Sequence, residues 1–376
     1  MMSRPIILFV SADLEYSVSS ASIRNVGVVK ALAKTHRIES LELIGSKSRL
    51  ITKIGIKNTV VRVPKFRVGN TATNTKKSEC LRKIKDFLKI VIIDRLFTFT
   101  LRFNFEKFFF DDIDVVIISS DPKGIYNLHF NKSFHKLFKP TVKFVHYWGD
   151  PLVGDVNFKP NGYHRKLEEK YFSCADIVMF TSKRLCARKR LDFPATNFFY
   201  LPRLMQPDVP SGDIRFKPAE VENIVVAGDY HSKFRDITPI CRVCTSLKIN
   251  ISFYGEGNSV FESRYVNYHE RLPLVELNDE MAKADLLVII GNKNSPFQVP
   301  GKFYDAYCLD MPILVLLEDE SLIDELDVII KRYYSVSNKD AKIREFFLKK
   351  SSITQEWKAT KEINQDLLLQ LENAIS

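Results

Sequence analysis

Two stretches carry the residues best suited to hold the oxygens of a diphosphate. One is Pro300-Gly301-Lys302 with Asp305 close behind; the other is Lys233 and Arg235, the latter seven places beyond Gly228. A proline and a glycine followed by an amphipathic segment read as loop and helix start, where free backbone N–H groups and the positive helix end favour an anion. The loop follows the apolar run Leu286–Ile290, which ends at Gly291, and precedes a second run, Ile313–Leu317. It therefore leaves the carboxyl end of a strand, where open α/β sheets bind ligands. An ordinary βα loop, with Asp305 complementing the helix dipole, fits the same residues.

In the second stretch a strand, Ile224–Ala227, ends at Gly228, and a polar loop delivers Lys233 and Arg235. A guanidinium matches phosphate oxygens in shape as well as charge. Next comes Ser252-Phe253-Tyr254-Gly255-Glu256-Gly257, where the glycines would let backbone approach a nucleotide base. The chain has no G-x-G-x-x-G, which disfavours dinucleotide-dependent oxidoreduction. No metal-ligand cluster is evident along the chain, so cations are expected to do the work of a metal, with no cofactor beyond the donor substrate.

Elements of alternating type must position these groups. Ile6–Val10, Ile38–Ile44, Thr59–Val63, Asp114–Ser119, Val142–His146 and Ile177–Thr181 are short apolar strands between helical stretches, the pattern of a parallel sheet. Three loops leave these strands toward a cleft: one with Ser19 and Ser20 before a helix carrying Arg24, one with Ser120 and Asp121, and one running His146-Tyr147-Trp148-Gly149-Asp150. Ser20 also suits a helix N-cap. Trp148 could stack on a sugar face, and Asp150 could accept sugar hydroxyls. The expected organisation is an α/β domain over residues 1–200, a proline-rich linker over 201–218 and a second α/β domain over 219–345. A helical segment, 346–376, then packs back on the first domain.

The Pro300-Gly301-Lys302-Phe303-Tyr304-Asp305 block, with Pro312 and its β-run, resembles the sugar-nucleotide motif of GT-B glycosyltransferases, especially glycosyltransferase family four. The resemblance implies two Rossmann-like domains facing a cleft and a retaining transfer from a nucleotide-sugar donor. In that scheme Arg235 and Lys233 neutralise the leaving diphosphate, and Asp305 binds the ribose. Gly228, Tyr254, Gly255, Gln298, Val299, Pro300, Gly301, Lys302, Ser19 and Ser20 hold the donor. Asp150 is the catalytic group on the acceptor side, with Ser120, Asp121, His146 and Trp148 lining the acceptor site. A lipid-linked or saccharide acceptor in bacterial surface polysaccharide assembly is the implied setting. Two departures stand out. Phe297 occupies the place of the family's first glutamate, and Asp229 stands where an arginine often follows the glycine. They keep a sugar-nucleotide epimerase, or a catalytically silent membrane-associated partner protein, as alternative readings.

Charge adds a further expectation. The 376-residue chain carries +11 overall, divided very unevenly. Up to Pro207 there are 36 Lys and Arg against 18 Asp and Glu; beyond it, 20 against 27. The basic half, with the Lys- and Phe-rich segment Lys76–Phe110, suits an anionic membrane surface. A nucleic-acid recognition module is not evident. No signal-peptide pattern or spanning apolar run is seen, so a cytoplasmic location is expected, peripheral on the inner face of the membrane. The six scattered cysteines fit reduced thiols, and the C-x-x-C of Cys241 and Cys244 fits core packing in a helix.

Overall fold

The computed structural model of the protein describes residues 5–11, 14, 20–42, 56–60, 110–119, 123–130, 132–153, 162–204, 210–231, 233–258, 261–293, 301–306, 309, 311–318 and 334–375. The N-terminal domain is built on seven parallel strands: β1 (Ile7–Ser11), β2 (Ile38–Glu42), β3 (Lys57–Val60), β4 (Val115–Ser119), β5 (Lys143–Trp148), β6 (Ile177–Phe180) and β7 (Phe198–Tyr200). Their order is β3-β2-β1-β4-β5-β6-β7. The strands are buried on both faces, which is why they read as nearly continuous apolar runs. Alternate residues serve opposite faces. Leu8, Val116, Phe144 and Phe180 enter one core cluster, while Phe9, Ile117, Val145 and Met179 enter the other.

A two-stranded antiparallel ribbon separates this domain from the next. It pairs β8 (Gly212–Phe216) with β15 (Ile353–Trp357), so the stretch expected as linker holds a strand and the helical segment expected over 346–376 is interrupted by another. The cause is tertiary. Phe216 and Ile353 pack against the C-terminal core, and the buried Gln355 amide bonds both backbone groups of Ile313, at 3.1 Å to its N–H and 3.0 Å to its carbonyl.

The C-terminal domain repeats the plan with β9 (Asn223–Ala227), β10 (Asn250–Tyr254), β11 (Val266–His269), β12 (Leu286–Ile290), β13 (Ile313–Leu317) and β14 (Tyr334–Ser337), in the order β11-β10-β9-β12-β13-β14. In each sheet the order reverses beside the first strand, at β1/β4 and at β9/β12, and the crevice at such a switch point is where open sheets bind ligands. The last helix, Thr360–Ile375, buries Asn364, Leu367, Leu371 and Ile375, a helical stripe. Leu367, Leu371 and Ile375 join the N-terminal core beside Val26 and Val29, while Ile363 touches cores of both domains. No helix among the described residues is long and apolar enough to cross a membrane.

Candidate functional site

At the β9/β12 switch point a pocket is lined by Ala227, Gly228, Asp229, Tyr230, Arg235, Ile289, Ile290, Gly301 and Lys302. Gly228 ends β9 with φ at +108°, a conformation that favours glycine, and a side chain added there would touch the Lys302 stem at 3.5 Å. Gly228 donates its N–H to the Tyr254 carbonyl at 2.9 Å, so the ends of β9 and β10 lie backbone to backbone. A Cβ on Gly255 would fall 2.5 Å from the Gly228 carbonyl oxygen. Gly255→Ala is therefore expected to cost about 1–3 kcal/mol through forced backbone shifts, read as a lowered urea midpoint; an unchanged midpoint would show that the strand ends separate freely.

The loop carrying Arg235 is pinned from three sides. Asp229 receives Arg271 Nη2 on both carboxylate oxygens at 2.8 Å and the Glu256 N–H at 3.1 Å. Those bonds hold its carboxyl below the usual range against the opposing effect of burial. Lys293 reaches Asp236 at 3.1 Å, and the Asn338 amide donates to the Asp236 carbonyl at 2.9 Å. Arg235 Nη1 then donates to the Asp229 carbonyl, while its buried Nε finds no partner in the protein. Burial lowers its pKa, but a guanidinium remains charged. A half-buried cation with a buried, unused donor at a pocket wall is the feature an anionic ligand would complete. Lys233, by contrast, is exposed, its ammonium 5.0 Å above the Phe234 ring, and does not line the pocket.

Lys302 and Gly301 sit at the start of the short helix Gly301–Ala306. Arg203, nearly buried just after β7, donates to the Gly301 carbonyl at 2.9 Å and lies 5.9 Å from the Tyr304 ring centroid. It ties the first domain to this helix. Arg24 is likewise buried, 5.3 Å from the Tyr147 ring, and lies so close over Gly149 that any side chain there would collide with it. Tyr254 turns into the core: its ring stacks on His269 at 4.5 Å and its hydroxyl bonds Glu280 at 2.9 Å.

Two expectations for the acceptor side are corrected. Trp148 is fully buried, stacked on Tyr126 at 4.3 Å and packed against Phe172 and Phe180, so it cannot offer a face to a sugar. His146 is also fully buried, against Tyr126 and His129. The reason is strand parity, because residues 146 and 148 share the face that packs into the core and Tyr147 takes the opposite one. Asp150 follows the end of β5 and is half-buried. Ser19, Ser120, Asp121, Phe297, Gln298, Val299 and Pro300 lie outside the described residues, as do the side chains of Ser20 and Asp305 and the basic segment 76–109.

Sequence reasoning missed Arg203 and Arg271. Arg203 stood among prolines as linker, and Arg271 had only its charge to mark it.

No protein-family model and no curated protein sequence matches the chain. Among solved structures it is similar to a mutant of S. aureus TarM in complex with fondaparinux, alpha-GlcNAc-glycerol and UDP. That likeness has a TM-score of 0.56 at 10% identity, over 99% of this chain and 100% of that one. It is also similar to Arabidopsis thaliana UGT89C1 complexed with quercetin, with a TM-score of 0.50 at 9% identity, over 99% and 92%. The fold is GT-B, two parallel-sheet Rossmann-like domains with helices.

Proposed function

We propose that the protein is a retaining glycosyltransferase that moves a sugar from a nucleotide-sugar donor to a lipid-linked or saccharide acceptor. The observation that carries this reading is the half-buried Arg235 with its buried, unused Nε, set beside Gly228 and Lys302 at the C-terminal switch point. A cation fixed at a pocket wall stabilises charge as it develops on a departing diphosphate, the largest catalytic contribution such a site offers. The GT-B fold supports it, and the UDP bound to TarM is the kind of ligand the pocket would take. Incubation with a panel of nucleotide sugars and saccharide or polyprenyl-phosphate acceptors tests it. Release of nucleoside diphosphate with formation of a glycosylated product is expected. Interconversion of the donor sugar without transfer would make the protein an epimerase, and binding without turnover a silent partner.

Asp150 is assigned to the acceptor side, since it leaves β5 of the N-terminal domain. Asp150→Asn is expected to reduce transfer roughly tenfold or more while leaving donor affinity within about twofold, the pattern of an interaction made with the acceptor alone. Loss of donor binding in this variant would place Asp150 elsewhere in the cleft.

We assign a surface-polysaccharide role in bacteria from the family resemblance, and peripheral attachment to the cytoplasmic face from the charge division. Cosedimentation with anionic but not neutral vesicles, partly reversed by salt, is the expected result. Equal, negligible binding to both would remove the membrane from this reading.

A further inference from the structure

We propose that His129, His146 and Cys174 form a buried zinc site that joins three elements of the N-terminal domain. His129 comes from the 3-10 helix Lys123–Phe130, His146 from the middle of β5, and Cys174 is the last residue of the helix Gly162–Cys174. One potential ligand atom from each lies within 4.8 Å of the other two. His129 Nδ1 and His146 Nε2 are 3.2 Å apart. Zinc–nitrogen bonds of about 2.0–2.1 Å in a tetrahedron put two imidazole nitrogens about 3.3 Å apart, so this edge is already set. The sulfur, now in contact with the Tyr171 carbonyl at 3.1 Å, would turn inward to take its place as third ligand.

The surroundings fit a borderline ion with nitrogen and sulfur ligands. His146 is completely buried, and the Nε2 it turns to His129 is closed off from solvent. Next to the site, His135 Nε2 bonds the His129 carbonyl, and its ring lies 4.9 Å from that of His129. His135 thus holds the backbone that carries His129.

Protonation is favourable too. Burial, and then the neighbouring His135, push His129 down to about 4, and burial followed by His129 lowers His146 well below its ordinary value. Neutral imidazole is the form that binds metal. Burial pushes the Cys174 thiol up to about 12, so the ion must displace its proton. Zinc and the thiol give a zinc–sulfur bond and one released proton, and affinity rises with pH accordingly. Because His146 faces the core opposite to Tyr147 and Arg24, the site is structural and lies apart from the cleft.

The test uses the full chain, freed of metal with a chelator and titrated with cobalt(II) and with zinc(II). One equivalent of cobalt is expected, with a thiolate-to-cobalt charge-transfer band and intense visible bands of tetrahedral geometry, all displaced by zinc. Zinc should raise the melting midpoint, release one proton, and protect one thiol from a maleimide. Cys174→Ala, at a half-buried position where the domain should still fold, is expected to lose the charge-transfer band and to weaken zinc by more than the 10–100-fold that losing an outer partner costs. His129→Gln supplies a second variant that keeps the thiol. No stoichiometric binding, or a band that survives Cys174→Ala, would overturn the proposal. So would a band lost in Cys241→Ala instead, which would move the ion to the C-x-x-C.

Discussion

Arg235→Ala is expected to weaken nucleoside-diphosphate binding by about 1.5–3 kcal/mol, the range for one hydrogen bond to a charged group. That corresponds to roughly 10- to 150-fold in Kd. The guanidinium is held in place before any ligand arrives, by its bond to the Asp229 carbonyl and by the contacts that fix Asp229 and Asp236. Little ordering cost then remains on binding. Lys233→Ala provides the contrast. Its ammonium is exposed over Phe234, so the change should be small, and the two variants should separate cleanly in calorimetry. Equal losses would mean that both cations reach the ligand and that the loop rearranges. Unchanged affinity in a folded Arg235→Ala protein would put the diphosphate elsewhere.

The C-terminal half of this picture was legible in the sequence because its signals are local. Strands buried on both faces need unbroken apolar runs, and the tight approach between β9 and β10 demands glycine at 255, so Ile224–Gly228 and Ser252–Gly255 announced themselves. The parity of His146 and Trp148 was not so easily read. A strand buried on both faces carries no alternation to say which side faces a cleft, so two polar-edged rings read as cleft residues although their partners are Tyr126, His129 and Phe172. The β8–β15 ribbon joins residues more than a hundred positions apart, and its strands are short and half-exposed. Nothing local distinguishes Gln355 from any surface glutamine until Ile313 is placed beside it. Arg203 and Arg271 belong to the same class, since each acquires its role from a partner distant in sequence.

Lys189→Met is expected to cost about 3–5 kcal/mol of stability, the loss typical of removing one partner from a buried ion pair. Lys189 and Glu168 are 5% and 1% exposed at their side chains, far below the surface pairs on this protein, so solvent does little to screen them. Glu168 also accepts the N–H groups of Leu152 at 3.1 Å and Val153 at 3.0 Å, and Lys189 bonds the Val153 carbonyl at 3.3 Å. The pair therefore anchors the backbone immediately beyond Asp150. Glu168→Leu should be worse than Lys189→Met, because it strands an ammonium and removes the acceptor of two N–H groups, whereas a lone carboxylate keeps both. Pairing the two substitutions should recover part of the loss but not all, since the Leu152 and Val153 donors stay unmet. Urea denaturation of the four proteins measures this order. Single losses below about 1 kcal/mol would mean that the pair is solvated as surface pairs are. On the acceptor-side role proposed for Asp150, a folded Lys189→Met protein is expected to bind donor normally and to transfer poorly, because the backbone that follows Asp150 has lost a tether while Arg235 and Gly228, in the other domain, keep their contacts.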